Sequence, residues 1–317
     1  MLLIVTLSLG LALALPAGAT SSAAMFPEPM YVTLQGSDRV ESLPKGITWS
    51  GLKNAHYVDA SPDGKLLLVS SQGSAVYVVD TATGETRATF QIGAVPQGVQ
   101  IGPNGHWGLA VSAGTDSVAA IDLQALKLVK TIKVGKTPHN IRFSADGERA
   151  YVTLQGETGV AVLDMSTLTR IGEIPVPGIV GPHNLDISAD GTVLWVRDLV
   201  GNVAAVNINT QKELAVIKVG AGHAGIDVIP GGRYVFTGAI ADDVVDVIDP
   251  KTFKVVKRIE VGDGPHGVRA SADGRWVYVA VTGTDKVAVI DAHSLEVVRQ
   301  IPVKGKLPFW IAVPGND

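Results

Sequence analysis

Cysteine is absent from the 317-residue chain. That absence removes thiolate metal sites, a cysteine nucleophile, iron–sulfur clusters and covalently attached c-type haem together. Basic runs are missing too: the net charge is −4, the isoelectric point is near 6.0, and Lys and Arg are scattered along the chain. A nucleic-acid partner needs a concentrated positive surface, so none is expected. Charged residues reach only 18% and aromatics 5%, but 46% hydrophobic residues exclude a disordered chain. No G-x-S-x-G elbow, H-E-x-x-H pair or Walker A loop occurs, so local hydrolase, zincin and P-loop signatures are excluded. A Ser–His–Asp set assembled only by folding stays open.

What is present begins with a segment unlike the rest. Met1 to Pro16 is apolar and uncharged, Ala17-Gly18-Ala19 offers a small-x-small cleavage site, and Ser22-Ala23-Ala24 offers a second. The apolar run is short for a membrane span and reads as a secretory h-region. It departs from that pattern in carrying no Lys or Arg near its start, and a retained anchor is the alternative reading. The expectation is a signal peptide over residues 1–24, with the mature chain, residues 25–317, periplasmic or extracellular and free of the membrane.

The remainder is one motif written repeatedly. Val78-Val79-Asp80, Ala120-Ile121-Asp122, Val162-Leu163-Asp164, Ala205-Val206-Asn207, Val247-Ile248-Asp249 and Val289-Ile290-Asp291 recur at spacings of 42 or 43 residues. Roughly half a repeat earlier stand turns such as Ser144-Ala145-Asp146-Gly147 and Ser271-Ala272-Asp273-Gly274. Asp-Gly accepts the positive φ of a tight reversal, so each marks a hairpin between two strands. A whole unit then reads as four short strands: His139 to Phe143, Arg149 to Leu154, Gly159 to Leu163 and Thr169 to Val176. Four antiparallel strands per repeat of this length is the grammar of a propeller blade.

Complete units begin near Ala55, Pro96, Pro138, Pro182, Ala224 and Pro265. Phe309 to Val313 supplies one more opening strand, and Tyr31-Val32-Thr33-Leu34-Gln35-Gly36 repeats Tyr151-Val152-Thr153-Leu154-Gln155-Gly156 letter for letter. The expected fold is all-β: a seven-bladed β-propeller, four antiparallel strands per blade, closed by the two chain ends sharing one blade. Sharing leaves no open sheet edge at the join.

Tyr-Val-Thr strands, Ser-Ala-Asp-Gly turns, Val-Ile-Asp third strands and Val-Gly-x-x-Pro links together resemble the YVTN-type seven-bladed propeller repeat. The resemblance spans the mature chain. It implies the fold strongly and function weakly, since similar repeats occur in surface proteins and in the haem-d1 domain of cytochrome cd1 nitrite reductase.

Repeat phase gathers the chemistry. The first inward position of each unit is His56, Gln97, His139, His183, Ala224, His266 and Phe309, with His223 one place before Ala224. Loops joining second and third strands should bring Gln72, Asp116, Glu157, Asp198, Asp242, Asp243 and Asp285 to the same rim. Neutral imidazole suits copper, zinc or haem iron, and a carboxylate can orient the second ring nitrogen. The sharper expectation is therefore a metal site of His56, His139, His183, His223 and His266. In it, His139, His183 and His266 hold a copper or haem-type cofactor at a His-lined channel mouth, and the partner is a small ligand or a protein. The alternative is a non-catalytic scaffold whose histidines bond neighbouring blades. A hydrolase or oxidoreductase ranks third. Asp80, Asp122, Asp164, Asp249 and Asp291 are read as turn formers rather than catalysts.

Overall fold

The computed structural model describes residues 29–316, so the expected signal peptide over residues 1–24 lies outside the described residues. Seven four-stranded antiparallel sheets surround one axis, and in six of them strand order follows the chain. In the seventh, Pro308–Ala312 lies innermost, followed by Met30–Leu34, Arg39–Leu43 and Ile47–Ser50. Tyr31 pairs with Ala312 and Val32 with Ile311. The ring is closed by both chain ends, as the repeat count requires.

Local chemistry sets the strand limits. In the Ser144 turn the hydroxyl donates to Asp146 Oδ1 at 2.5 Å and accepts from the Arg149 N–H at 3.0 Å, while Gly147 takes φ 72°. That turn separates Pro138–Phe143 from Arg149–Leu154. At the end of the third strand, Gly159–Asp164, Asp164 Oδ1 accepts the N–H groups of Ser166 and Thr167. Asp80, Asp122, Asp249 and Asp291 do the same in their own blades, which bears out their reading as turn formers.

Burial falls outward along every blade. All six residues of Pro138–Phe143 are buried, whereas most of Thr169–Pro175 is exposed. The core lies between blade faces: Val69 and Val78 of one sheet share a cluster with Ile101, Ala110 and Ile121 of the next. Burial of these β-branched and aliphatic side chains at roughly 25 cal/mol per Å² is what holds neighbouring sheets together.

One irregularity positions the site. Between the first two strands the ladder pairs Pro138 with Leu154 and then Ile141 with Val152, so one extra residue is inserted on the inner strand. The same shift occurs at Ala55/Val58, Pro96/Val99 and Pro265/Val268. A bulge takes residues out of the ladder and re-aims their side chains. Here it releases His56, Gln97, His139 and His266 toward the axis.

Candidate functional site

Three positions of the inner strands build three layers along the axis. The first holds the histidines, and the structure does bring them together. The His139 and His183 ring centroids are 3.7 Å apart, His183 and His223 4.6 Å, and His223 and His266 5.4 Å. His266 stacks on Phe309 at 3.8 Å, and Phe309 on His56 at 4.3 Å. His56, His139, His183 and His266 are buried, while His223 is part-exposed.

Burial, more than any neighbour, keeps these rings neutral. It lowers His56 to about 4 and His139 to about 3, and holds His183 and His266 well below the ordinary imidazole value. His223 is lowered by burial and by the Arg197 charge. Hydrogen bonds tie the layer to the blades: His56 Nε2 meets Gln97 Oε1 at 2.9 Å, His139 Nδ1 meets the His183 carbonyl at 3.1 Å, and His266 Nδ1 meets the Phe309 carbonyl at 3.3 Å. His56 Nδ1, His183 Nδ1 and His266 Nε2 are buried without a protein partner.

Two expectations change. The mouth is not an open His-lined channel, because the rings pack against one another and against Phe309. Nor do the imidazoles converge on a point: among the described residues no group of three His, Asp or Glu could hold a metal ion. Of the histidine pairs only His183 and His223 stack; His139 is tilted on His183, and His266 meets His183 and His223 edge to face. A multi-histidine copper or zinc centre therefore does not fit this arrangement. The rim carboxylates have other work too. Asp116 Oδ1 accepts the Thr137 N–H, Glu157 Oε1 the Lys136 N–H, Asp242 Oδ2 the Ala221 N–H and Asp243 Oδ1 the Gly264 N–H. Asp198 and Asp285 likewise accept backbone N–H groups. Asp198 closes its own loop through the Val200, Gly201 and Asn202 N–H groups, and the others fasten interblade links; of the rim set only Gln72 reaches an imidazole, His56, at 3.3 Å.

Beneath the histidines the axis is filled. Tyr57 packs on Trp310 at 4.4 Å, and its hydroxyl reaches Asn184 Oδ1 at 3.5 Å on a distant blade. Asn140 donates to that same Asn184 oxygen, and Asn184 Nδ2 donates to the Ala224 carbonyl at 2.8 Å. Glycine occupies this position at 98, 225 and 267 for want of space. A Cβ on Gly267 would stand 2.7 Å from the Phe309 carbonyl oxygen.

The third layer, three residues past the histidines, was not anticipated. It holds Asp59, Gln100, Arg142, Asp186, Asp227 and Arg269, nearly all buried. Arg269 Nη1 donates to Asp227 Oδ1 at 2.7 Å and lies 3.9 Å from Asp59 Oδ1 through Nη2, while Arg142 Nε donates to Asp186 Oδ1 at 3.3 Å. Burial acts against the Arg269 charge, but Asp227 and Asp59 outweigh it. A polar residue at this phase in six of the seven blades, Ala312 being the exception, was the available signal.

A second residue was missed. In the second strand of successive blades the equivalent position is Thr33, Ser70, Val111, Thr153, Arg197, Gly238 and Ala280. Arg197 alone is large and charged. It is fully buried, and its Nη2 donates to the carbonyls of Gly220 and Gly222 at 2.8 Å each, directly before His223. Its Nε and Nη1 have no protein partner. Burial lowers its pKa to about 10, which leaves it cationic at neutral pH. A fixed positive charge thus sits beside the one part-exposed imidazole of the cluster.

The family described as the cytochrome D1 heme domain matches residues 188–307, a stretch that includes Arg197, His223 and His266 but neither His139 nor His183. No curated protein matches the chain. Among solved structures, hydrazine synthase of Kuenenia stuttgartiensis is similar at 23% identity and TM-score 0.75, covering 83% of this chain and 90% of that one. The dihydro-heme d1 dehydrogenase NirN, solved in complex with DHE, is similar at 19% identity and TM-score 0.67, covering 91% and 76%. A functionally unknown protein from Desulfotomaculum acetoxidans is similar at 14% identity and TM-score 0.78, covering 92% and 100%. These likenesses show the seven-bladed propeller fold, and residues 188–307 are similar to the cytochrome D1 heme domain.

Proposed function

We propose that this protein is a binding propeller, not a catalyst, and that its histidine face takes up a haem-type group. The observation that carries the reading is the pairing of His223, part-exposed and neutral, with the buried Arg197 cation whose Nε and Nη1 lack partners. A haem-type group needs one neutral imidazole for its iron and a cation for its carboxylates, and unlike a multi-histidine metal centre it needs no converging set. His223 would face the iron and Arg197 would attract the acid groups, with His183 packed behind His223 at 4.6 Å to fix its plane. When bound, such a group would supply ligand binding or electron transfer at iron. Similarity to a haem d1 family over residues 188–307 supports the reading. Export to the periplasm or beyond, on the strength of residues 1–24, belongs to the same proposal.

A second reading has its own observation. His56, His139 and His266 each bond a neighbouring blade through one ring nitrogen, which is what a scaffold with structural histidines would need. Titration with iron protoporphyrin separates the two. The binding reading expects a saturable Soret shift at one equivalent, with about tenfold weaker binding in Arg197→Met, the loss of one charge-assisted contact. A spectrum unchanged from free iron protoporphyrin supports the scaffold.

A further inference from the structure

The opposite end of the axis holds a second site. A cavity of about 280 Å³ opens beneath the third layer, with Arg142, Arg269, Asp186 and Asp227 in its floor. Its walls are largely apolar and include Phe143, Ile187, Ile229 and Pro230.

The hydrogen bonds in the floor decide what could occupy it. The carboxylate oxygens are already engaged. Asp186 Oδ1 accepts from Arg142 Nε and Oδ2 from the Val228 N–H at 2.6 Å. Asp227 Oδ1 accepts from Arg269, and Oδ2 from the Ala270 N–H at 2.6 Å and from Asn316 Nδ2 at 3.0 Å. Asp59 Oδ2 accepts the Ile101 N–H at 2.7 Å. The donors are not all engaged: Arg142 Nη2 and Arg269 Nε are buried with no protein partner, on side chains only 4% exposed. An unmet buried donor on a charged group is costly, and the missing partner is an acceptor. A cation would find both oxygens of Asp186 and of Asp227, the two acids lining the cavity, already taken; the unmet groups in the floor are two guanidinium N–H donors, which call for an anion.

We infer that this cavity binds a small organic carboxylate, its acid group on Arg142 and Arg269 and its apolar body against Phe143, Ile187 and Ile229. The site lies at the far end of the axis from His223 and does not depend on the haem-type reading. Asp186 tunes it. Burial first, and then the nearby Asp227 charge, raise Asp186 to about 6, against the lowering effect of Arg142 and Arg269. Asp59, also buried beside Arg269, is raised as well. As the pH falls toward about 6, Asp186 takes up a proton, repulsion of the incoming carboxylate falls, and affinity rises.

Benzoate is a suitable probe, with benzamide as its neutral counterpart and benzylammonium as the cation of the same shape. Calorimetry and saturation-transfer NMR on the whole protein should show saturable benzoate binding and weaker or no binding of the other two. Arg142→Met should weaken benzoate about tenfold or more, as loss of a charge-assisted contact does. Ala189 is an exposed turn residue at the cavity edge, so Ala189→Trp should block binding while the melting temperature stays that of the parent. Absence of saturable benzoate binding, equal binding of benzamide, or full binding by a folded Ala189→Trp protein would each overturn the assignment.

Discussion

The two ends of the axis are built from the same inner strands, three residues apart, and they meet burial in opposite ways. At the histidine end the imidazoles give up their charge, with Arg197 beside them the one retained cation: His56 is held at about 4 and His139 at about 3. At the other end the charges are kept and matched, Arg269 to Asp227 and Arg142 to Asp186. Desolvation acts on both layers, and the difference lies in the partner each residue finds across the blade boundary. A histidine there meets a carbonyl or another ring; an arginine meets a carboxylate. The repeat fixes where a side chain goes, and the chemistry at that place is set by its neighbours on other blades.

That comparison is tested most severely by deleting one member of a matched pair. Asp227→Ala leaves Arg269 charged and also strands the Ala270 N–H and Asn316 Nδ2. The expected loss is about 3–5 kcal/mol in urea unfolding, as for other broken buried pairs. His266→Ala removes a stacked ring but strands no charge and should cost less, about 2 kcal/mol. A reversed order would mean that the two ends do not differ as described.

The pH dependence of stability sharpens the contrast, because the ends titrate with opposite sign. His56 sits at about 4 in the folded protein against an ordinary 6.5, so the unfolded chain binds protons first as the pH falls. Its contribution is lost between those values, about 3 kcal/mol at full effect. Asp186 sits at about 6 against an ordinary 3.8, so the folded protein binds its proton first and stability rises across that interval as the pH falls. His56→Gln should therefore make the acid loss shallower and Asp186→Asn should make it steeper, read from urea midpoints across pH. Two variants moving the profile the same way would contradict the assignment.

A smaller effect probes the packed middle layer between the ends. Gly267→Ala would place a Cβ 2.7 Å from the Phe309 oxygen and 2.9 Å from Trp310 Cα. Overpacking of that kind costs about 1–3 kcal/mol. On an outer strand, a Cβ added at Gly172 would meet nothing within 4 Å. Gly172→Ala should therefore be neutral or gain roughly a few tenths of a kcal/mol, because alanine lowers the entropy of the unfolded chain. Equal melting temperatures for the two variants would deny the tight middle layer.

Much of the fold was legible because the signals were local and repeated. Ser-Ala-Asp-Gly turns and Asp-ended third strands are chosen by short-range hydrogen bonds, and the Tyr31 segment matched Tyr151 letter for letter. The gathering of His139, His183 and His266 followed from phase, and that of His223 from its place one residue before the phase position. How they gathered did not. How the imidazoles meet depends on side-chain direction, which bulges set at His56, His139 and His266, and no spacing reports a bulge. Most of the rim carboxylates bond backbone donors about twenty residues away that sequence cannot place, whereas Asp198 makes a local turn with Val200 to Asn202. Arg197 was visible in principle as the one large residue in a row of small ones, but its meaning appears only when Gly222 and His223 fold over it. The Asp–Arg layer carried a phase signal equal to that of the histidines.

The functional account rests on His223 being the accessible imidazole, and one titration addresses it most directly. Iron protoporphyrin is added to His223→Ala and His266→Ala proteins, each first shown to be folded by its far-ultraviolet dichroism, and the Soret band is followed. The account predicts that His223→Ala loses the saturable shift while His266→Ala, altered in a buried ring with no exposure, retains it. Retention by His223→Ala, or its loss only in His266→Ala, would contradict the account.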